Sequence, residues 1–434
     1  MDSPIDPSTQ TWSTTPDALL IRIFEYGALL ALHDRDLPFA ILVTHICRRW
    51  RSLVLLSPSV WCKIPIHHRR AGLTKFLLNH VGATAPISVS IHVDAEDKPY
   101  GPQEKDLRLV FAHANSKRIT ALYVRVHRGG SRTYIGGLLG GRAETRQLPA
   151  LEHLELISAA PDGGNGLSHP LSVEPGPWPL RSLVLHRADS YYRSKLLTGL
   201  TRLTWAILVN YIPPLSYATL RDLAVACPAL EYLKLDGVFP ILSEGVSYPK
   251  LHWDSLHTLE LTMDENPTSK TALVNNTKYV STFLSLFSVP AARVFAFESG
   301  WPVAWVEIWN ALPALERTLP AIRTLRLSVT TDDYTPDASP ALYDAFAQLR
   351  CLTLACSAKQ LRLFLRPWLA RSRAAAPGTG WPHLELLTLR LADGGAGAVD
   401  REIADGVALI ASAHKAARGA FAVFWDTAYV RSVP

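Results

Sequence analysis

The side chains that could carry out chemistry are scattered through this sequence of 434 residues. It holds 15 histidines and five cysteines, and no two cysteines have the two-residue spacing of a metal-binding or redox pair. The adjacent His67 and His68 face different directions on any regular element. Cys351 and Cys356 are five apart in a strand pattern, which puts them on opposite faces. The sequence therefore predicts no metal site.

The sequence motifs of common catalytic and nucleotide-binding sites are also absent. It contains no GxSxG, no HExxH, no GxxxxGK[ST] phosphate loop and no GxGxxG after a strand. The acidic runs TMDENP (262–267) and TTDDY (330–334) follow strand patterns, and we interpret them as solvated loops. We therefore expect a protein that is not an enzyme, carries no cofactor and acts by binding.

Charge and hydropathy bear on whether the protein binds nucleic acid or spans a membrane, and on its compartment. The net charge of +6 is spread thinly, and the densest basic cluster is HHRR at 67–70. This pattern disfavours nucleic acid as a partner. No apolar run reaches the roughly 18 residues of a membrane span. The polar, acidic start MDSPIDPSTQ does not resemble a secretory signal, and the unpaired cysteines fit a reducing compartment. We expect an intracellular protein, cytoplasmic or nuclear.

A repeated L-x-x-L-x-L pattern occupies most of the chain. Typical copies are CPALEYLKL and LPAIRTLRL. Eight clear and two weaker copies end at positions 124, 156, 185, 205, 235, 261, 297, 327, 354 and 389. The last two leucines share one face of a strand, and the first packs into the same core where the strand begins. One copy cannot bury that face, whereas stacked copies can. The irregular spacing of 20 to 36 residues predicts a loose leucine-rich-repeat-like solenoid.

Helical patterns alternate with these strands. They include YATLRDLAVAC, KYVSTFLSLF, SPALYDAFAQL, SAKQLRLFLRPWLARSRA and VDREIADGVALIASAHKAARGA, and FAVFW is the last predicted strand. This alternation predicts an α/β fold with parallel strands and outer helices. Loops are expected at 128–144, 158–170 and 328–340.

The position between the last two leucines of each copy faces away from that core. The residues there have mixed charge, which favours a protein or peptide partner; Lys234 and Arg326 could contribute to a basic pocket. These positions hold Glu155, Val184, Lys234, Glu260, Arg326, Thr353 and Thr388.

The start of the chain differs from the repeats. After a tail at 1–14 that we expect to be disordered, TTPDALLIRIFEYGALL predicts a helix with one apolar stripe and an end at Gly27. A second helix is predicted from Phe39 through Leu56, with Val43, Ile46, Cys47, Trp50, Leu53 and Val54 on one side. Such a small unit, with two tryptophans, has more apolar area than its own core requires.

These opening helices resemble an F-box. The family pattern opens with Leu-Pro-x-Glu-Leu-Leu-x-x-Ile-Phe, continues with Val-x-x-Val-Cys-Arg-x-Trp and closes with Pro-Ser-Leu-Trp. Thr15 and Ala18 replace its first Leu and its Glu. The matching residues are Pro16, Leu19, Leu20, Ile23, Phe24, Val43, Cys47, Arg48, Trp50, Leu53, Pro58, Ser59 and Trp61. The whole layout is similar to fungal F-box proteins with leucine-rich-repeat-like domains.

The resemblance implies a three-helix F-box at 15–66, a linking helix and strand at 67–100, and the repeat solenoid at 101–434. It implies a substrate receptor of a Skp–cullin–F-box ubiquitin ligase, acting in ubiquitin-dependent protein degradation. The F-box would dock on a Skp-type adaptor, and through it on a cullin, while the repeats bind an unknown target. The expected adaptor-binding residues are Pro16, Leu19, Leu20, Ile23, Phe24, Val43, Trp50, Leu53 and Trp61, with Arg48, Arg49 and Arg51 at the rim.

A second interpretation remains open. Solenoids need polar caps at their ends, so the F-box-like helices could cap the repeat array of a scaffold without any link to a ligase.

Overall fold

The computed structural model describes most of the chain between residues 12 and 426. The predicted tail, apart from Trp12 and Thr14, lies outside it, as do nearly all of the three predicted loops and most of the helix predicted at SPALYDAFAQL. The described residues are 12, 14–30, 38–67, 72–93, 102–126, 148–158, 178–186, 197–206, 215–237, 240–242, 246–263, 279–300, 308, 311–312, 315–329, 345–346, 348–374, 381–391, 401–418 and 421–426.

The chain forms two compact units, Met1–Leu196 and Leu197–Pro434. In unit 1, strands β1 to β5 form a parallel array in sequence order. Its elements are α1 (Asp17–Leu30), α2 (Phe39–Thr44), α3 (Arg48–Leu55), a 3-10 turn (Pro58–Trp61), β1 (Lys63–Ile66), α4 (Leu73–Val81), β2 (Ile87–Val93), α5 (Pro102–Val110), α6 (His113–Ser116), β3 (Ile119–Val126), β4 (His153–Ser158) and β5 (Ser182–His186).

Unit 2 has the same plan. Eight parallel strands follow in the order β6-β8-β11-β13-β14-β15-β16-β17, and two short strand pairs, β7 with β9 and β10 with β12, lie beside them. Its elements are β6 (Arg202–Ala206), β7 (Leu215–Ser216), α7 (Tyr217–Ala226), β8 (Tyr232–Asp236), β9 (Pro240–Ile241), β10 (Leu251–His252), β11 (Thr258–Met263), α8 (Tyr279–Ser285), β12 (Phe287–Ser288), β13 (Val294–Ser299), β14 (Thr324–Val329), β15 (Cys351–Cys356), α9 (Ala358–Ala374), β16 (Leu386–Leu391), α10 (Arg401–Arg418) and β17 (Ala422–Asp426).

The repeated leucines form the core of each parallel array, which confirms the predicted α/β class with parallel strands. Each of the ten predicted copies contains a strand. In unit 2 the middle leucines pair in register across neighbouring strands, as Leu233 with Leu259 and Leu325 with Leu352 do. All four are at most 1% exposed. Every strand therefore contributes the same apolar row, and adjacent strands bury it together.

The helices fill the positions that their amphipathic patterns predict. Helices α7, α8, α9 and α10 coincide with four of the predicted helical segments. Helices α9 and α10 pack closely, since a Cβ on Gly406 would lie 2.8 Å from the Leu369 side chain. Among the described helices, none has the length and apolar content to cross a membrane.

Strand β1 was not predicted from the sequence. It is short and contains Pro65, which an edge strand tolerates because one side of its backbone needs no partner. Strand β1 pairs with β2, and β2 pairs with β3. Strand pairing therefore crosses both of the predicted boundaries, at residue 66 and at residue 100. The short helices α5 and α6 were also not predicted.

Candidate functional site

Helix α1 carries two apolar stripes, which corrects the prediction of a single one. Leu20, Phe24 and Ala28 recur at four-residue intervals and are buried. Leu19 and Ile23 form a second, exposed row. At about 100° per residue, the two rows point in directions well over 90° apart. One row therefore builds the core of unit 1 and the other remains on its surface.

Gly27 lies inside α1 rather than ending it. A Cβ at this position would lie 2.4 Å from the tip of the Phe39 ring. The missing side chain lets α2 approach α1 closely, so the glycine is a packing device and the predicted helix end was wrong. The helix continues to Leu30 because its apolar pattern continues there.

The predicted second helix is two helices, α2 and α3. The break falls at His45–Cys47, where Cys47 is extended and its sulfur accepts a hydrogen bond from the Trp50 backbone N–H at 3.5 Å. Arg51 Nε donates to the Thr44 carbonyl at 2.8 Å, which satisfies a helix-end acceptor. The break turns Ile46 and Cys47 outward, and both are exposed instead of lying on the inner side.

Arg49 holds the start of α1 against α3 and is not a solvated rim residue. Its guanidinium donates to the Asp17 carboxylate at 2.5 and 3.0 Å, to the Trp12 carbonyl at 3.1 Å and to the Thr15 carbonyl. Trp50 is half-buried beside this contact, with its ring centroid 5.8 Å from that of Trp12 and 5.0 Å from that of Phe24. Arg48 and Arg51 are exposed, as the rim interpretation requires.

Trp61 joins the three helices to the rest of unit 1. It is 1% exposed, and its indole N–H donates to the Val54 carbonyl at 2.7 Å. Its ring packs edge-on against Phe76 and lies 4.6 Å from the His80 ring, both on α4. Trp61 was expected to bind an adaptor, whereas its burial and these contacts make it a joint within unit 1.

The nine residues predicted to bind an adaptor divide by exposure. Pro16, Leu19 and Ile23 are exposed, and Trp50 and Leu53 are half-buried. The remaining four are at most 2% exposed, so in this structure they support the surface from beneath and do not touch a partner. These four are Leu20, Phe24, Val43 and Trp61.

The same opening segment exposes further large apolar side chains, which sequence reasoning missed as surface residues. Of the 14 large hydrophobic residues exposed in the described part of the chain, eight lie between Trp12 and Leu56. A helical wheel of α1 that separated its two rows would have found part of this set. We call seven of them the apolar helical surface: Leu19, Ile23, Tyr26, Leu42, Ile46, Leu55 and Leu56.

The open face of the unit 1 strands holds a polar cluster. Arg125 donates to Glu155 at 3.1 Å, and each side chain is 13% exposed. Tyr123 lies on β3 together with Arg125, and its ring is 5.0 Å from that of His153 on β4. Burial, helped by the negative charge of Glu155, raises the pKa of the Tyr123 phenol. The Arg125–Glu155 pair links β3 to β4, so it stabilises the packing of these neighbouring strands.

The open face of unit 2 has mixed charge, as the sequence predicted. Lys234 lies 3.8 Å from Asp236 and pairs in register with Glu260, which accepts the Tyr232 hydroxyl at 3.0 Å. Arg326 is exposed and sits three strands away from Lys234, a separation of about 14 Å at the usual strand spacing. The two cations therefore do not form the common basic pocket that the sequence suggested.

Within the described residues, no group of three or more His, Cys, Asp or Glu side chains could hold a metal ion. All five cysteines are free thiols. No family model matches the chain, and no curated protein matches it.

Proposed function

We propose that this protein is the substrate-recognition subunit of a Skp–cullin–F-box ubiquitin ligase. In this proposal the three opening helices dock on a Skp-type adaptor, which links the chain to a cullin, and the repeat strands bind the target protein. The chain itself performs no chemistry, because ubiquitin is transferred by the recruited conjugating enzyme. The F-box-like residues of the sequence supply the identity of the expected adaptor.

The observation that carries the proposal is the apolar helical surface. The three opening helices and the turns that follow the second and third expose seven large apolar side chains, although buried residues of these helices already form a core. So many large apolar side chains left exposed within one short segment support a site for another protein. The arrangement also separates a supporting layer, such as Leu20 and Phe24, from a contact layer, such as Ile23 and Leu56.

The alternative, a cap without a ligase, is favoured by a different observation. Trp61, the edge strand β1 and helix α4 hold the opening helices firmly against the start of the sheet. A cap contacts the repeats with one side only. Its exposed side then binds no partner, so substitutions on the exposed side distinguish the two proposals.

Co-purification of the full chain with a purified Skp-type adaptor tests the proposal. The double variant Ile23→Asp/Leu56→Asp places two carboxylates on the apolar helical surface without touching the core, and we expect it to lose the adaptor. The matched control Val225→Asp/Leu409→Asp changes two exposed aliphatic residues of α7 and α10. We expect the control to retain the adaptor.

Two results would contradict the proposal: a wild-type chain that does not retain the adaptor, or a double variant that retains it as well as the control does. Point variants are preferable to removing residues 1–66, because that deletion takes away Trp61 and β1, which pair with and cover the rest of unit 1.

A further inference from the structure

One position recurs at the start of the main strands of unit 2 from β8 to β16. It is the residue directly before the strand, and its backbone N–H donates to the carbonyl of its counterpart on the previous strand. Arg323 donates to Arg293 at 2.9 Å, and Arg350 donates to Arg323 at 2.8 Å. These bonds place the three arginines side by side, about 4.8 Å apart between neighbouring backbones. We call Arg293, Arg323 and Arg350 the arginine row.

The arginine row is a row of like charges on exposed side chains. Like charges on directly neighbouring strands destabilise a sheet, so the fold gains nothing from this choice of residues. Only Arg350 has an acidic neighbour along the row: its guanidinium lies 3.4 Å from the Glu385 carboxylate. Arg293 and Arg323 form no ion pair with any residue in the described part of the chain.

The ends of the row limit what can bind to it. Glu385 follows Arg350, while His257 and then Glu231 precede Arg293. The positive stretch is therefore about 10 Å long, two strand spacings, and acidic at both ends. A nucleic acid carries one phosphate every few ångströms along its whole length, and its backbone would run onto Glu231 or Glu385. A short acidic segment fits between them.

We propose that the arginine row binds a carboxylate-rich segment of a partner protein. The ion pair between Arg350 and Glu385 is an example of this contact within the protein itself. Glutamates or aspartates of the partner would form the equivalent ion pairs with Arg293 and Arg323. Guanidinium groups suit this role because their planar fork of N–H donors matches a carboxylate. In the function proposed above this segment belongs to the target; binding to the row does not itself require the adaptor.

Fluorescence anisotropy of the full chain without adaptor tests the site. The probe is a fluorescein-labelled octapeptide of alternating glutamate and glycine, and glutamine replaces glutamate in a control peptide. We expect the glutamate peptide alone to bind, and to bind more weakly as salt is added. Exposed ion pairs contribute about 0.2 to 1 kcal/mol each, so Arg293→Gln/Arg323→Gln should raise Kd about two- to thirtyfold.

The matched control is Arg221→Gln/Arg366→Gln, which removes the same charge from exposed positions on α7 and α9. Its Kd should stay within about twofold of the wild type, since general electrostatic attraction is screened over about 10 Å. Equal losses of affinity for the glutamate peptide in both double variants would overturn the proposal. So would an oligothymidylate that binds more tightly than the glutamate peptide, or a phosphoserine peptide that binds when the glutamate peptide does not. Because no adaptor is present, failure here is distinct from failure of the ligase proposal.

Discussion

Leu56 offers the sharpest test of the division between core and contact surface. It follows α3 and is 83% exposed, the most exposed large hydrophobic residue in the described part of the chain. Leu20, on helix α1, is 0% exposed. Leu56→Ala and Leu20→Ala therefore make the same chemical change in two opposite environments within one small unit.

The magnitudes follow from these exposures. Fully burying a leucine contributes about 1.5 to 3 kcal/mol, and most of the Leu56 side chain is available to a partner. Because alanine keeps the Cβ, Leu56→Ala should weaken adaptor binding by about 1 to 2 kcal/mol, or about five- to thirtyfold. Its free energy of unfolding should change by less than about 0.5 kcal/mol, as for an ordinary surface substitution. Leu20→Ala should lower the free energy of unfolding by about 2 to 5 kcal/mol.

Isothermal titration calorimetry with the adaptor gives the affinities, and urea unfolding gives the stabilities. Val225→Ala, at an exposed position on α7, controls for loss of surface apolar area elsewhere and should leave both quantities unchanged. An unaltered affinity for Leu56→Ala would refute the assignment of this surface to the adaptor. A loss of more than about 1 kcal/mol in its stability would show that Leu56 belongs to a packed cap instead.

Two further predictions concern titratable groups. A disulfide reagent at pH 8 should label the exposed Cys47 in the native protein and should spare Cys227 until urea unfolds the chain. The reason is that burial raises the pKa of the Cys227 thiol to about 12, so that at pH 8 about one Cys227 thiol in ten thousand is a reactive thiolate. Mass spectrometry of the labelled peptides checks the order, and early labelling of Cys227 would contradict the packing. Burial, followed by the charge of Glu260, raises the pKa of Tyr232 from 10.0 to about 12. The raised pKa stabilises the folded state fully below pH 10, and this stabilisation is lost between pH 10 and 12. Since phenylalanine does not ionise, the stability of the wild type should fall by about 1.4 kcal/mol relative to Tyr232→Phe between pH 9 and pH 11 in urea unfolding. A difference that stays constant over this range would show that the phenol stays solvated.

The parallel strands could be predicted because their signal is local and repeated. Each copy of L-x-x-L-x-L fixes two leucines on one strand face, and ten copies leave stacking as the only way to bury them. Helices α9 and α10 were equally readable from their amphipathic periods. Strand β1 could not be predicted, because four residues that include a proline are too few to show a strand periodicity. They form a strand only because β2 supplies a hydrogen-bonding partner.

The location of the candidate site could be predicted from the composition of the opening helices, whereas the structure corrected which of its residues are exposed. An excess of apolar residues in the opening helices was visible in the sequence, and so were the F-box-like positions. Burial could not be assigned, since Leu19 and Leu20 are the same residue type in adjacent positions and one turns outward while the other turns inward. The break at Cys47 had the same effect on Ile46, which the assumption of one continuous helix placed on the wrong side.

The sequence by itself determined the α/β class, the repeated strands and the location of the surplus apolar residues, because these depend on residue type and spacing along the chain. Only the tertiary structure decided which of those residues are exposed, that Trp61 is a joint, and that Arg49 ties α3 to the start of α1. It also decided that three arginines from separate repeats stand side by side. Their separation along the chain is 27 to 30 residues, and hydrogen bonds between neighbouring strands reduce it to a single strand spacing.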